Sequence, residues 1–167
     1  MEPVTPENQL GIVVMFTYNK FKFLDPIDLD WASDMALVCP VNTLGTVTVY
    51  QSARHGSLDG AVSPPFIGAI KPQVIVVNNG PRKGMGQADP PKAKTPSAGQ
   101  TFAPYEHVSY FRMARNPGLE DIWQGHLSLL DKDPAHNTAE NMIANFEETA
   151  DCKGNWIKAS VARDGKF

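Results

Sequence analysis

The stretch TVTVYQSARHGSLDGAVSPPFIGAIKPQVIVVNN, residues 46–79, indicates the fold class of this 167-residue chain. Thr46–Gln51 is rich in Val and Thr, which predicts a strand. Pro64–Ile70 suits a short helix with proline in its first turn, and Val74–Val77 is a short, fully apolar strand. Because a crossover of this kind usually joins parallel strands, residues 46–79 predict a parallel pair in an α/β (α+β) fold.

The sequence before this unit predicts an antiparallel hairpin. Leu10–Tyr18 is apolar and partly β-branched, and Phe21–Asp25 alternates its side chains, with Asn19-Lys20 as the turn between them. A short helix is expected next, over Leu29–Val38. The sheet should therefore be mixed, with flanking helices.

The remainder of the chain begins with a segment that lacks periodicity. Residues 81–100 are dense in Gly, Pro, Lys and Ala, which predicts a long mobile loop. Later elements are expected as a helix over Pro104–Arg115, a strand over Asp121–Leu129, a helix over Thr138–Phe146, a strand over Trp156–Val161 and a turn at Asp164-Gly165. The length predicts one domain over residues 1–167.

Net charge argues against a duplex nucleic acid as a partner, and hydropathy argues against a membrane. The net charge is −3 and the pI about 5.8, whereas duplex-binding domains usually have a pI above about 9. One small basic cluster lies in the loop, and we interpret it as a solvated surface: Arg82, Lys83, Lys92 and Lys94. No apolar run approaches the roughly 20 residues of a membrane span, and the first seven residues do not resemble a signal peptide. As written, the chain is expected to stay in the cytoplasm, although a longer relative could be exported.

The two cysteines, Cys39 and Cys152, lie far apart and lack CxxC spacing, which argues against a structural zinc site. A disulfide would require export of the chain. Two buried free thiols are the default expectation.

Two residues are candidates for metal ligation. Asp28 and His55 follow predicted strands, and active sites in α/β sheets favour the carboxyl ends of strands. Carboxylate and imidazole groups both bind zinc. The alternatives are a helix N-cap for Asp28 and an ordinary loop residue for His55. The other histidines have no ligand-like spacing: His107, His126 and His136.

Two segments resemble a known family. FKFLDPIDLDW, residues 21–31, is similar to the strand and Gly-Asp-Leu-x-Trp segment of metallo-β-lactamase-fold hydrolases, in the branch similar to the C-terminal domain of DNA-uptake competence proteins. VTVYQSARHGS, residues 47–57, resembles that family's strand and Ser/Thr-His-His-Gly segment. Similarity extends over nearly the whole chain through residues 69–80, 117–124 and 156–161.

The resemblance implies the C-terminal half of an αββα sandwich, in which two sheets pack face to face with helices outside. It also implies zinc as the cofactor and a metal-activated water as the nucleophile. In the family, the aspartate corresponding to Asp28 bridges two metal ions, and His55 corresponds to a late histidine ligand.

Departures from the family pattern predict an incomplete metal centre. Arg54 replaces the first His of His-His-Gly, and Ile27 stands where the family usually has Gly. The hallmark His-x-His-x-Asp-His is absent, and a further upstream histidine ligand is missing. Since a catalytic zinc normally has three protein ligands, Asp28 and His55 cannot form one centre alone.

We therefore expect a C-terminal fragment of a hydrolase that is catalytically incompetent alone. Half a sandwich exposes an apolar sheet face and a strand edge, which predicts self-association or dependence on an N-terminal partner half. The alternative is a non-enzymatic binding or scaffold module that has lost the metal site. A nuclease-like function is the weakest hypothesis, because the basic cluster is its sole support.

Overall fold

A computed structural model describes residues 11–57, 63–86 and 108–167 and contains the predicted hairpin. Strand β1 spans Val14–Tyr18 and strand β2 spans Phe21–Asp25. They pair antiparallel from Val14 opposite Asp25 to Tyr18 opposite Phe21. The two-residue turn at Asn19-Lys20 is confirmed, and Asn19 has the positive φ of 53° that asparagine tolerates in turns.

Helix α1 spans Trp31–Val38 and begins two residues later than predicted. Its N-cap is Asp30, whose carboxylate accepts a hydrogen bond from the Ser33 N–H at 2.8 Å. The interpretation of Asp28 as the N-cap is therefore wrong. Asp30 is the N-cap because it directly precedes Trp31, the first helical residue, whereas Asp28 lies three residues before it.

The crossover unit forms as predicted. Strand β3 spans Val49–Gln51, helix α2 spans Pro64–Ile70 and strand β4 spans Val74–Val77. The Ser63 hydroxyl caps α2 by accepting from the Phe66 N–H at 3.3 Å. β3 is parallel to both β2 and β4, which confirms the predicted mixed sheet with flanking helices.

Helix α3 spans Ser109–Ala114, and strand β5 spans Asp121–Gln124 and pairs parallel with β4. The sheet order is β1-β2-β3-β4-β5. Residues 104–107 of the predicted helix, and residues 87–100 of the predicted loop, lie outside the described part of the chain.

Two predictions for the C-terminal part are wrong. Residues 138–146 contain a 3-10 turn at Glu140–Met142 instead of an α-helix. Thr138 is held by the β5 strand instead, since its hydroxyl donates to the Ile122 carbonyl at 2.9 Å. Residues 156–161 form no strand, and the chain lies there in irregular, largely exposed structure. A turn does form around Gly165, whose N–H donates to the Ala162 carbonyl at 2.9 Å.

The cysteines were predicted as buried free thiols. Cys39 and Cys152 are free but both are exposed, so the burial prediction is wrong. Cys39 follows the end of α1, and Cys152 lies in the irregular C-terminal segment, where little chain packs over either thiol.

The two faces of the sheet are covered differently. The inner face carries Leu24, Tyr50, Ile75 and Ile122, which form the main core with the helices. The outer face carries a second apolar cluster: Phe21, Phe23, Val49, Val74, Val76 and Trp123. Residues 152–159 lie over this outer face and leave a groove of about 740 Å³ beneath them.

Candidate functional site

The carboxyl ends of β2, β3, β4 and β5 meet at one edge of the sheet, because these four strands are parallel. The loops that leave them contain Asp28, His55, Asn79 and His126 in turn. This edge is where α/β folds usually place ligands.

Three residues at this edge have left-handed backbone conformations: Ile27 (φ 55°), Arg54 (φ 46°) and His55 (φ 60°). Such conformations are unfavourable for residues other than glycine, most of all for a β-branched side chain, and often mark functional sites. The Arg54 N–H donates to the Ile27 carbonyl at 3.1 Å. This bond joins the loop of Asp28 to the loop of His55.

His55 is half-buried, and its ring is fixed from one side. Nδ1 lies 2.8 Å from the Asn78 carbonyl oxygen. In the tautomer that donates from Nδ1, the Nε2 lone pair is presented as an acceptor, which is the arrangement of many metal-ligating histidines. The His55 carbonyl in turn accepts from the Met85 N–H at 2.9 Å, so both ends of the residue are held.

A close backbone contact on the far side also holds the His55 loop. Gly84 has a φ of 93°, and a Cβ built there would overlap the His55 carbonyl. Only glycine allows this approach of the two chains.

Asp28 is half-buried in the turn between β2 and α1. The turn is stabilised by the Asp25 carboxylate, which accepts from the Ile27 N–H at 2.9 Å, and by the Leu29 N–H, which donates to the Pro26 carbonyl at 3.3 Å. The structure thus leaves Asp28 without a capping role and places its loop beside that of His55.

The residues present do not fit a complete catalytic zinc centre. Within the described ranges, no group of three or more His, Cys, Asp or Glu side chains is placed to hold a metal ion. His126 is turned to the backbone, with its ring nitrogens 2.8 Å and 3.3 Å from the carbonyl oxygens of Leu127 and Glu147. Asp28 and His55 are only two residues, whereas a catalytic zinc normally has three protein ligands.

His136 is engaged by two neighbouring carboxylates. Its Nδ1 lies 3.2 Å from Asp131 and its Nε2 lies 3.7 Å from Asp133, while His107 lies outside the described residues.

A buried acidic residue beneath this edge was missed by sequence reasoning. Asp34 of α1 is 0% exposed, and neither of its carboxylate oxygens has a hydrogen-bond partner. Burial, followed by repulsion from Asp30, raises the pKa of Asp34 to about 8. Asp34 lies four residues before the buried Val38 on the same helix face, and this spacing was the available signal.

Tyr50 connects this buried region to the His55 loop. Its side chain is 0% exposed and packs edge-on against Phe66, with ring centroids 5.8 Å apart. Its hydroxyl accepts from the Ala53 N–H at 3.2 Å, one residue before Arg54. Burial, and then the charge of Asp34, raise the pKa of Tyr50, so the phenol stays neutral.

Buried amides fix the β4 and β5 ends of the edge and were also missed. The Asn79 amide donates to the His126 carbonyl at 2.7 Å. Gln124, 0% exposed, donates to the same carbonyl and to the Asn137 side chain, each at 2.7 Å. Buried polar groups of this kind rigidify a structure when their hydrogen bonds are satisfied.

The basic cluster is partly neutralised. Arg82 donates twice to Glu148, at 2.9 Å and 2.8 Å, and this hydrogen-bonded pairing lowers the pKa of Glu148. Lys83 is exposed, and Lys92 and Lys94 lie outside the described residues.

Comparison with models of protein families, with curated proteins and with solved structures gives no significant match. The helices of residues 11–57, 63–86 and 108–167 are all too short or too polar to cross a membrane.

Proposed function

We propose that this chain is the C-terminal half of a metallo-β-lactamase-like hydrolase domain and is catalytically incompetent alone. The observation that carries the proposal is the hydrogen bond from the Arg54 N–H to the Ile27 carbonyl. It brings together the loops of Asp28 and His55, the two residues that resemble the family's late metal ligands.

The state of His55 supports a retained ligand position. Its Nδ1 is occupied by the Asn78 carbonyl at 2.8 Å, which orients Nε2 as a donor of electrons to a cation. A strained backbone at Ile27, Arg54 and His55 also favours a functional origin for this corner. The proposed metal is zinc, on resemblance.

Completion of the centre would require ligands besides Asp28 and His55, and we propose that a complementary half domain supplies them. The outer sheet face is the surface on which a second sheet of a sandwich would pack, in place of residues 152–159, since its Phe23, Val76 and Trp123 are only partly buried. Two-sheet sandwiches bury such faces against each other.

The alternative is a non-enzymatic binding module that has lost its metal site. Arg54 favours it, because a cationic side chain next to His55 disfavours a metal cation.

Zinc titration of the whole chain, followed by NMR of the histidine rings, tests the proposal. We expect the His55 ring signals to shift with a dissociation constant on the order of 0.1–1 mM, because two ligands hold zinc weakly. Asp28→Asn should weaken the shift of the His55 signals, and in His55→Ala zinc should no longer shift the backbone amide signal of Asp28. After desalting, the zinc-to-protein ratio should be near zero.

His136→Ala is the matched control and should leave the His55 response intact. Unperturbed His55 signals at millimolar zinc would favour the non-enzymatic module. Retention of about one zinc per chain after desalting would contradict the incomplete centre.

A further inference from the structure

The outer edge of β1 has no partner strand within residues 11–57, 63–86 and 108–167. Among the described residues, β1 pairs with β2 and with nothing else. Residues 11–18, GIVVMFTY, contain no charge and no proline. Natural edge strands usually carry such residues to prevent pairing with other chains.

The hydrogen-bonding pattern of the hairpin identifies which backbone groups are available. The Lys22 backbone faces β3, since its carbonyl accepts from the Thr48 N–H at 2.9 Å and its N–H donates to the Thr48 hydroxyl at 3.0 Å. Backbone direction alternates along a strand, so Phe21 and Phe23 face β1. Their partners Tyr18 and Phe16 therefore face β2, and the N–H and C=O groups of Met15 and Thr17 point away from the sheet.

The exposed side chains of β1 are large and apolar. Phe16 is 62% exposed and Tyr18 is 50% exposed. Phe16 lies on the outer face beside Phe23, with ring centroids 6.2 Å apart. A partner at this edge would cover aromatic surface and satisfy backbone groups together.

We propose that β1 pairs antiparallel with β1 of a second copy of this chain, about a two-fold axis at Phe16. Met15 then lies opposite Thr17 of the second copy, and each strand supplies the backbone donors and acceptors that the other lacks. Phe16 lies opposite its own counterpart in a non-hydrogen-bonded position, where side chains approach most closely. The result is one continuous ten-stranded sheet.

The second copy fits this edge better than the outer face. The segment 152–159 lies over the outer face and is held there by the Asn155 N–H, which donates to Asn145 at 2.7 Å. Pairing at the β1 edge requires no movement of that segment. A five-residue strand buries less than the roughly 1,200 Å² of a standard interface, so the dimer should form in a concentration-dependent way. This inference does not depend on metal binding.

Sedimentation velocity over a concentration series tests the pairing with the full chain. We expect a monomer–dimer equilibrium for the unaltered protein. Phe16→Lys and Phe16→Glu should each weaken the dimer at least about tenfold, because like charges then lie directly opposite each other. An equimolar mixture of the two variants should restore the dimer, since opposite charges meet at the axis.

Val41→Lys is the matched control, because Val41 is 67% exposed and lies outside the sheet; its dimer should equal that of the unaltered chain. Hydrogen exchange at Met15 and Thr17 should slow as the concentration rises. A monomer at all concentrations, equal effects of Phe16→Lys and Val41→Lys, or no rescue on mixing would each overturn the proposal.

Discussion

Ile27 has a backbone conformation that is unfavourable for its residue type. Its φ of 55° is one that a β-branched residue rarely adopts. It occupies the position where the resembled family usually has Gly, the residue best suited to this conformation. The side chain is 48% exposed, and little packing offsets the strain.

Replacing Ile27 with Gly should therefore stabilise the fold. A left-handed conformation costs an L-residue about 1–2 kcal/mol, and the greater freedom of glycine in the unfolded chain offsets about 0.5–1 kcal/mol of the gain. We expect urea denaturation to give a net increase of up to about 1 kcal/mol for Ile27→Gly. Ile27→Ala, which keeps the Cβ, should give no such increase; equal effects would contradict the strain argument.

Asp34 should make stability fall as the pH rises. Its pKa is about 8 in the folded chain and about 3.9 when unfolded. Between these values the unfolded chain releases the proton and the folded chain keeps it, so the stability present below about pH 4 is lost progressively until about pH 8. The total change should be on the order of a few kcal/mol.

Asp34→Asn removes the titrating carboxyl group and should therefore reduce the pH dependence of the free energy of unfolding. Urea denaturation at pH 4 to 8.5 should show a variant that equals the unaltered chain at low pH and exceeds it at high pH. Asp151→Asn, at an exposed position, should keep the original slope. Parallel curves for Asp34→Asn and the unaltered chain would contradict the assignment.

Sequence reasoning placed Asp28 and His55 at strand ends because strand and turn signals are local. It missed Asp34, Tyr50 and Gln124, whose burial depends on which elements pack together. Sequence patterns assign a polar residue to the surface unless it is known which element packs against it.

At the level of elements, a helix or strand was predicted correctly where a single segment contained both its hydrophobic pattern and the residues that end it. Pro64–Ile70 and Val74–Val77 have the predicted bounds, set by Pro64 and by the apolar run. Residues 156–161 alternate like a strand, but they lie over the outer face of the sheet and pair with none of the strands described. Beyond β5 the position next to the sheet is occupied by Ile143, which bridges Gln124.

The loop between β4 and α3 contributes to the His55 corner through Gly84. Gly84→Ala should destabilise the protein by about 2–3 kcal/mol, because the added methyl group overlaps the His55 carbonyl. It should also shift the NMR signals of the His55 ring. Urea denaturation and the ring spectrum together measure both effects.

Gly68→Ala provides the contrasting substitution within α2. A Cβ at Gly68 meets nothing within 4 Å, so alanine should stabilise the helix by about 0.5–1 kcal/mol. A Gly84→Ala variant that behaved like Gly68→Ala would show that the close approach of residue 84 to His55 is unimportant.

At the scale of the whole molecule, the mixed sheet and its flanking helices were predictable, because local signals indicate one hairpin and one crossover; the strand order was not predicted. The coverage of the outer face could not be predicted from the sequence. It depends on the irregular segment 152–167, whose contacts are distant in sequence and have no periodic signal. Phe167 packs on Phe21 with ring centroids 5.7 Å apart, and such pairs cannot be inferred from spacing.

The sequence separation between the hairpin and the C-terminal segment also sets the delay between their synthesis. The Asn19 side chain donates to the Arg163 carbonyl, 144 residues later. At about 5–20 residues per second, a ribosome needs roughly 7 to 29 seconds to make the intervening chain. Throughout that interval the C-terminal cover has not been made, so each strand of the outer face that has already left the ribosome is uncovered on that side.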